Sequence, residues 1–78
     1  MRVSVQKMCR IAISAFWNPA GVVSDVCIQA VAKSSQGSVD FSEVESIAEA
    51  VKSSCIRSAQ MEIVDKFVVM VKYHAKIG

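Results

Sequence analysis

The sequence predicts an all-α fold, a small bundle of three to four helices forming a single helical domain over residues 1–78. Three observations carry this. From Asp40 to Lys76 neither glycine nor proline interrupts the chain. Within that stretch Phe41, Val44, Ile47, Ala48, Val51 and Cys55 recur at helical spacing along one narrow stripe. Acids also precede bases twice over, Asp40, Glu43 and Glu45 before Lys52 and Arg57, then Glu62 and Asp65 before Lys72 and Lys76, which complements two helix dipoles in turn. The alternative is an α+β chain of order β-α-α-β, with residues 2–13 and the valine-rich run 67–73 as strands.

Residues 2–17 fit either state. Val3, Val5, Cys9, Ile11 and Ile13 alternate as in a strand, but Lys7 then falls on the apolar face. As a helix, Val5, Met8, Cys9, Ala12, Ile13 and Phe16 make one face opposite Lys7, Arg10 and Ser14, with fewer exceptions, so the segment is assigned as helix. Trp17-Asn18-Pro19-Ala20-Gly21 is punctuation, Pro19 suiting the first position of a second helix with Asn18 as its cap. That helix runs to about Ser34 with Val22, Val23, Val26, Cys27, Ala30 and Val31 inward. Ser34 to Ser38 is the clearest loop, with Gly37 placed for a left-handed residue. Ala30-Val31-Ala32-Lys33-Ser34-Ser35 resembles Ala50-Val51-Lys52-Ser53-Ser54, a likeness of helix endings too short to define a repeat.

Asp40 then starts a helix. Its carboxylate is placed to accept from first-turn N–H groups, Glu43 to reach back in a capping box, and Val39 and Val44 to form a hydrophobic staple. Ser53, Ser54 and Ser58 compete for backbone hydrogen bonds, so Asp40–Lys76 is expected as two helices with a break near 53–58. In the second, Ile56, Ala59, Ile63, Phe67, Met70 and Val71, extended by Met61, Val64 and Val68, spread the apolar arc to about 200°, roughly twice what one core contact requires. The surplus must be buried between helices of this chain or against another molecule.

The chain has 53% hydrophobic and 21% charged residues, rich in apolar side chains for 78 residues, and a domain of this size has little interior in which to hide them. A protein partner of unknown identity and self-association into a homo-oligomer are therefore expected. The formal net charge of +2 comes from scattered Lys and Arg, so nucleic acid is not favoured. Three cysteines, Cys9, Cys27 and Cys55, make an odd, unpaired count that points to a reducing, cytoplasmic setting. Arg2, Lys7 and Arg10 before the apolar run 11–17 imitate a signal peptide, but the run is short and ends in Asn18-Pro19, so that assignment is rejected. No run approaches the ~18 apolar residues of a membrane span, so no membrane insertion is expected.

Chemistry finds little to work with. Cys9, Cys27, Cys55 and His74 supply zinc-type ligands from four helices but lack closely spaced pairs, so no metal or cofactor is expected and the cysteines are taken as small core residues. A cysteine–histidine nucleophile fails because inward thiols are unreactive. A helix-turn-helix over Ala32–Val44 would open its recognition helix on acids that repel phosphate. With one histidine, no inward carboxylate pair and no phosphate loop, the chain is expected not to be an enzyme. What remains is a small protein–protein interaction module, an adaptor, chaperone-like cofactor or inhibitor. Its expected interface is Met61, Val64, Phe67, Val68 and Val71, with Trp17 as a separate anchor. A dimeric nucleic-acid-binding regulator is the alternative function.

Overall fold

The computed structural model describes residues 1–15 and 21–77. The chain runs β1 (Arg2–Ser4), α1 (Val5–Ala15), α2 (Gly21–Lys33), β2 (Ser38–Asp40), α3 (Phe41–Ser53), α4 (Ser58–Ile77). It is a four-helix bundle with a two-stranded antiparallel ribbon, Arg2 opposite Asp40, Val3 opposite Val39 and Ser4 opposite Ser38.

Four sequence expectations change. Residues 2–4 are a strand rather than the start of a helix, because Val3 gains a cross-strand partner that a single-segment reading cannot supply. The run 67–73 is helix, as its charge pattern required, and the second strand instead lies in the segment assigned as loop and helix cap. Asp40 does occupy the N-cap position of α3, but its side chain caps nothing. It accepts from the Ser42 hydroxyl and from the Met1 ammonium, the latter at 3.2 Å, while the Phe41 N–H donates to the Met1 carbonyl at 2.7 Å. Strand pairing has taken over the satisfaction of an orphan helix donor. Finally, Ile56, placed on the α4 arc, lies in the α3–α4 connection and is 95% exposed.

The break in the long stretch falls where the serines predicted. Ser53 Oγ donates to the Ala50 carbonyl at 2.7 Å and Ser54 N–H to the Val51 carbonyl at 3.1 Å, closing α3. Lys52 then bridges Glu49 at 2.9 Å and Asp65 at 2.8 Å, tying the end of α3 to α4.

The architecture is a duplicated β-α-α unit. Val3, Val5, Met8, Ile11 and Ala12 are buried in β1–α1, and Val39, Phe41, Val44, Ile47 and Ala48 are buried in β2–α3, each displaced by 36 positions. In the second helices Val23, Val26 and Ala30 correspond to Val64, Phe67 and Val71 at a displacement of 41. The ribbon register is itself invariant to the exchange, since Val3 pairs with Val39, its own equivalent. The flanking bonds are too: Val5 N–H donates to the Gly37 carbonyl at 3.0 Å as Phe41 N–H does to that of Met1. A pseudo-twofold axis thus passes through the Val3–Val39 pair. α1 packs on α2 and α3 on α4 within the halves, and α2 on α3 and α4 on α1 between them. The inward valines of the ribbon join one core with all four helices. The surplus of the wide α4 arc goes largely into that shared core.

Candidate partner-binding site

The expected interface residues do not form one surface. Val64, Phe67 and Val71 are withdrawn into the core at 0%, 0% and 1% exposure, while Met61 and Val68 are half-buried on its flank. A surface made of the first three would require the bundle to open. Trp17, with Phe16, Asn18 and Pro19, lies outside the described residues.

The four zinc-type side chains are not gathered. Cys9 and Cys27 meet across α1 and α2, Cys55 sits in the α3–α4 connection with its thiol on the Val51 carbonyl, and His74 is exposed on α4. Among the described residues no group of three or more metal-ligating side chains converges. Burial, with the neighbouring Cys9 adding to it, pushes the Cys27 thiol up to about 12, which keeps it protonated and inert.

The most site-like surface is a groove of about 500 Å³ between α1 and the C-terminal half of α4. Its lining is apolar at Ile11, Met70 and the exposed Ile77, and polar or basic at Lys7, Arg10, Ser14 and His74. The sequence places these residues for plain reasons. On α1, Lys7, Arg10 and Ser14 occupy the face opposite Met8 and Ala12, and Ile11 lies at the border between the two. On α4, Met70, His74 and Ile77 follow at three- and four-residue spacing on one stripe. That stripe continues past Val71 because α4 extends to Ile77, whereas α2 stops at Lys33 soon after the equivalent Ala30.

Charge is sorted around this groove. α1 contains Lys7 and Arg10 and no acid, and α4 carries no acid from Lys66 onward. Acids instead line α3, at Glu43, Glu45 and Glu49. Periodicity assigned Lys7 and Arg10 simply to a wet face, and His74 entered only as one of four dispersed zinc-type ligands. That α1 and the end of α4 lie side by side is a tertiary fact, although the acid-free stretches were visible in the sequence.

A second surface is the outer face of the ribbon. Val3 and Val39 turn inward, leaving Arg2, Ser4, Ser38 and Asp40 outward by alternation. Arg2 folds over the neighbouring strand, donating to Ser38 Oγ at 2.9 Å and to the Ser38 carbonyl at 3.0 Å.

These features define the class: a small, mostly helical, pseudo-twofold bundle with an open groove on one side of its axis. Comparison with known protein families, characterised proteins and solved structures finds no match. Among the described residues no helix is long and apolar enough to cross a membrane.

Proposed function

We propose that the chain is a small non-enzymatic protein-binding module, an adaptor or inhibitor of the cytoplasm, whose working surface is the α1–α4 groove. The observation that carries this is the mixed lining of the groove, apolar at Ile11, Met70 and Ile77 and polar or basic at Lys7, Arg10, Ser14 and His74, the composition of a recognition surface rather than of an unfinished core. Exposed Val69 and Tyr73 on the same helix widen the available apolar area. Self-association is proposed only through these two residues, since the duplicated fold already buries most of what called for a second subunit. Sedimentation equilibrium of the wild type and of Val69→Ser/Tyr73→Ser separates the two cases. The test of the module is retention of proteins from native lysate by the wild type against Ile77→Asp, with helicity checked on both. Identical retained sets would remove the groove from the function.

A second reading, a regulator that binds duplex DNA, is favoured by the ribbon. A two-stranded antiparallel ribbon fits the major groove, and one on a pseudo-twofold axis matches a pseudopalindromic site. Here a single chain supplies both halves. Against it stand Asp40 on the ribbon and Glu43 beside it, which oppose phosphate. Binding to generic duplex that weakens steeply with salt supports this reading, and no complex at low salt ends it.

A further inference from the structure

We infer that Cys9 and Cys27 are a redox modification site, a thiol pair that a low-molecular-weight disulfide such as oxidised glutathione converts to a Cys9–Cys27 disulfide bridging α1 and α2. The site is separate from the α1–α4 groove and stands whatever that groove binds.

Helix geometry brings the two thiols together. On α1, Cys9 and Ile11 flank the buried line of Met8 and Ala12 on opposite sides. Ile11 lines the groove against α4, so Cys9 is turned toward α2. On α2, Cys27 follows the buried Val26, and its thiol is in hydrogen-bonding contact with that of Cys9. The second half repeats the geometry without sulfur. The axis carries Cys9 onto Glu45 and Cys27 onto Val68, and these two line one cleft between α3 and α4. The meeting of the two positions thus belongs to the fold, and the thiols belong to the first half alone. Cys55 stands apart in the α3–α4 connection, its thiol on the Val51 carbonyl.

Exposure divides the roles. Cys9 is half-buried and within reach of solution, whereas Cys27 is buried. Burial keeps the Cys27 thiol protonated and closed to reagents from solution, yet it touches a thiol that solution does reach. The Cys9 thiolate attacks one sulfur of oxidised glutathione and breaks its S–S bond. One glutathione leaves and takes up the proton that Cys9 released, while the other remains on Cys9 as a mixed disulfide. Cys27 Sγ then attacks Cys9 Sγ, the bond to glutathione breaks, and the Cys27 proton passes to the departing thiolate. Two protein thiols have lost two electrons and two protons, and one glutathione disulfide has become two glutathione thiols. Oxidation sacrifices no stabilised Cys27 thiolate, since the reduced form holds that thiol protonated. The bridge closes a loop over residues 9–27, so it restricts the unfolded chain and pins α1, one wall of the groove, to α2.

The experiment incubates the native full chain with oxidised glutathione, quenches with acid, and reads the product by peptide mapping and urea denaturation. The expected product links the Cys9 and Cys27 peptides and leaves Cys55 outside the bridge. Helicity is unchanged, and the urea midpoint rises and returns to its starting value with dithiothreitol. Cys27→Ala, which keeps a small apolar side chain in the core, stops at a glutathione adduct on Cys9, and Cys9→Ser leaves Cys27 unmodified. A bridge that includes Cys55, or one that forms only in urea, overturns the site. So does a native chain in which Cys55 reacts while Cys9 and Cys27 stay unlinked. A midpoint that falls on oxidation shows that the fold must distort to make the bond, and it overturns the site equally. Absence of the adduct in Cys27→Ala overturns Cys9 as the point of entry.

Discussion

Phe67 heads the fully buried side chains by size, and it belongs to the one core that all four helices share. Truncation to Ala there costs about 3–5 kcal/mol, the price of lost transfer energy plus a cavity in a close-packed core, measurable by urea denaturation. Phe67→Asp, which buries an unpaired charge, prevents folding. Ser46→Asp, exposed on the outer face of α3, leaves stability within about 0.5 kcal/mol. Equal tolerance of the two aspartates would contradict the buried face described here. The thiols supply a second contrast. Burial pushes the Cys27 thiol up to about 12 and keeps it protonated, so iodoacetamide modifies the partly exposed Cys55 first and reaches Cys27 only on unfolding. Equal native-state rates, read by mass spectrometry, would refute the burial of Cys27. At this scale the sequence was legible for residues in the middle of a stripe, such as Met8, Val26 and Val44. It misjudged the margins: Ile13 and Val31, expected inward, are 70% and 51% exposed, because a helical wheel gives the direction of a face and not where its neighbours stop covering it.

Between α2 and β2 the chain reverses through Gln36 at φ 58° and Gly37 at φ 80°. A Cβ on Gly37 would meet open space, so any cost of Gly37→Ala is conformational and not steric against neighbours. The expected loss is about 1 kcal/mol, and a neutral result would show that the turn relaxes at no cost. At the other end of β2, hydrogen bonds from Ser42 and from the Met1 ammonium hold the Asp40 carboxyl below its ordinary value. Such a group contributes stability that is complete above the ordinary carboxylate range and disappears as pH falls through its depressed pKa. Asp40→Asn therefore flattens the acid limb of the stability profile, and an unchanged limb would place the acid sensitivity elsewhere. The helices and the break at 53–58 were legible because period and serine chemistry act locally. The strands were not, since three residues carry almost no periodic signal and their identity lies in pairing between residues far apart in sequence. The repeat that the eye finds, Ala30–Ser35 against Ala50–Ser54, is not the structural one. The true correspondence shifts from 36 to 41 positions between the first and second helices of each half, so no single offset reveals it.

The duplication changes what kind of molecule this is. A width of apolar surface that suggested a second subunit is met by a second β-α-α unit on the same chain, joined through the short turn at 34–37. The groove follows from the same fact, because the two halves are unequal: α4 outruns α2, so its stripe through Met70 to Ile77 extends along α1 past the point at which α2 has ended. If each half folds chiefly against the other, severing the turn should cost little beyond the entropy of bringing the pieces together. Peptides 1–35 and 36–78 are then each largely unstructured, since neither ribbon strand has a partner and Val26 and Phe67 lose their common core. Mixed at tens of micromolar, they form a one-to-one complex whose far-ultraviolet helical signal exceeds the sum of the parts, and whose midpoint rises with concentration as expected of a bimolecular fold. Replacing Val39 by Asp in the second peptide abolishes the gain, because it sets a charge opposite Val3 on the axis itself. A mixed spectrum equal to the sum, or a peptide 36–78 that folds alone to full helicity, would show that the halves are not the units of this fold.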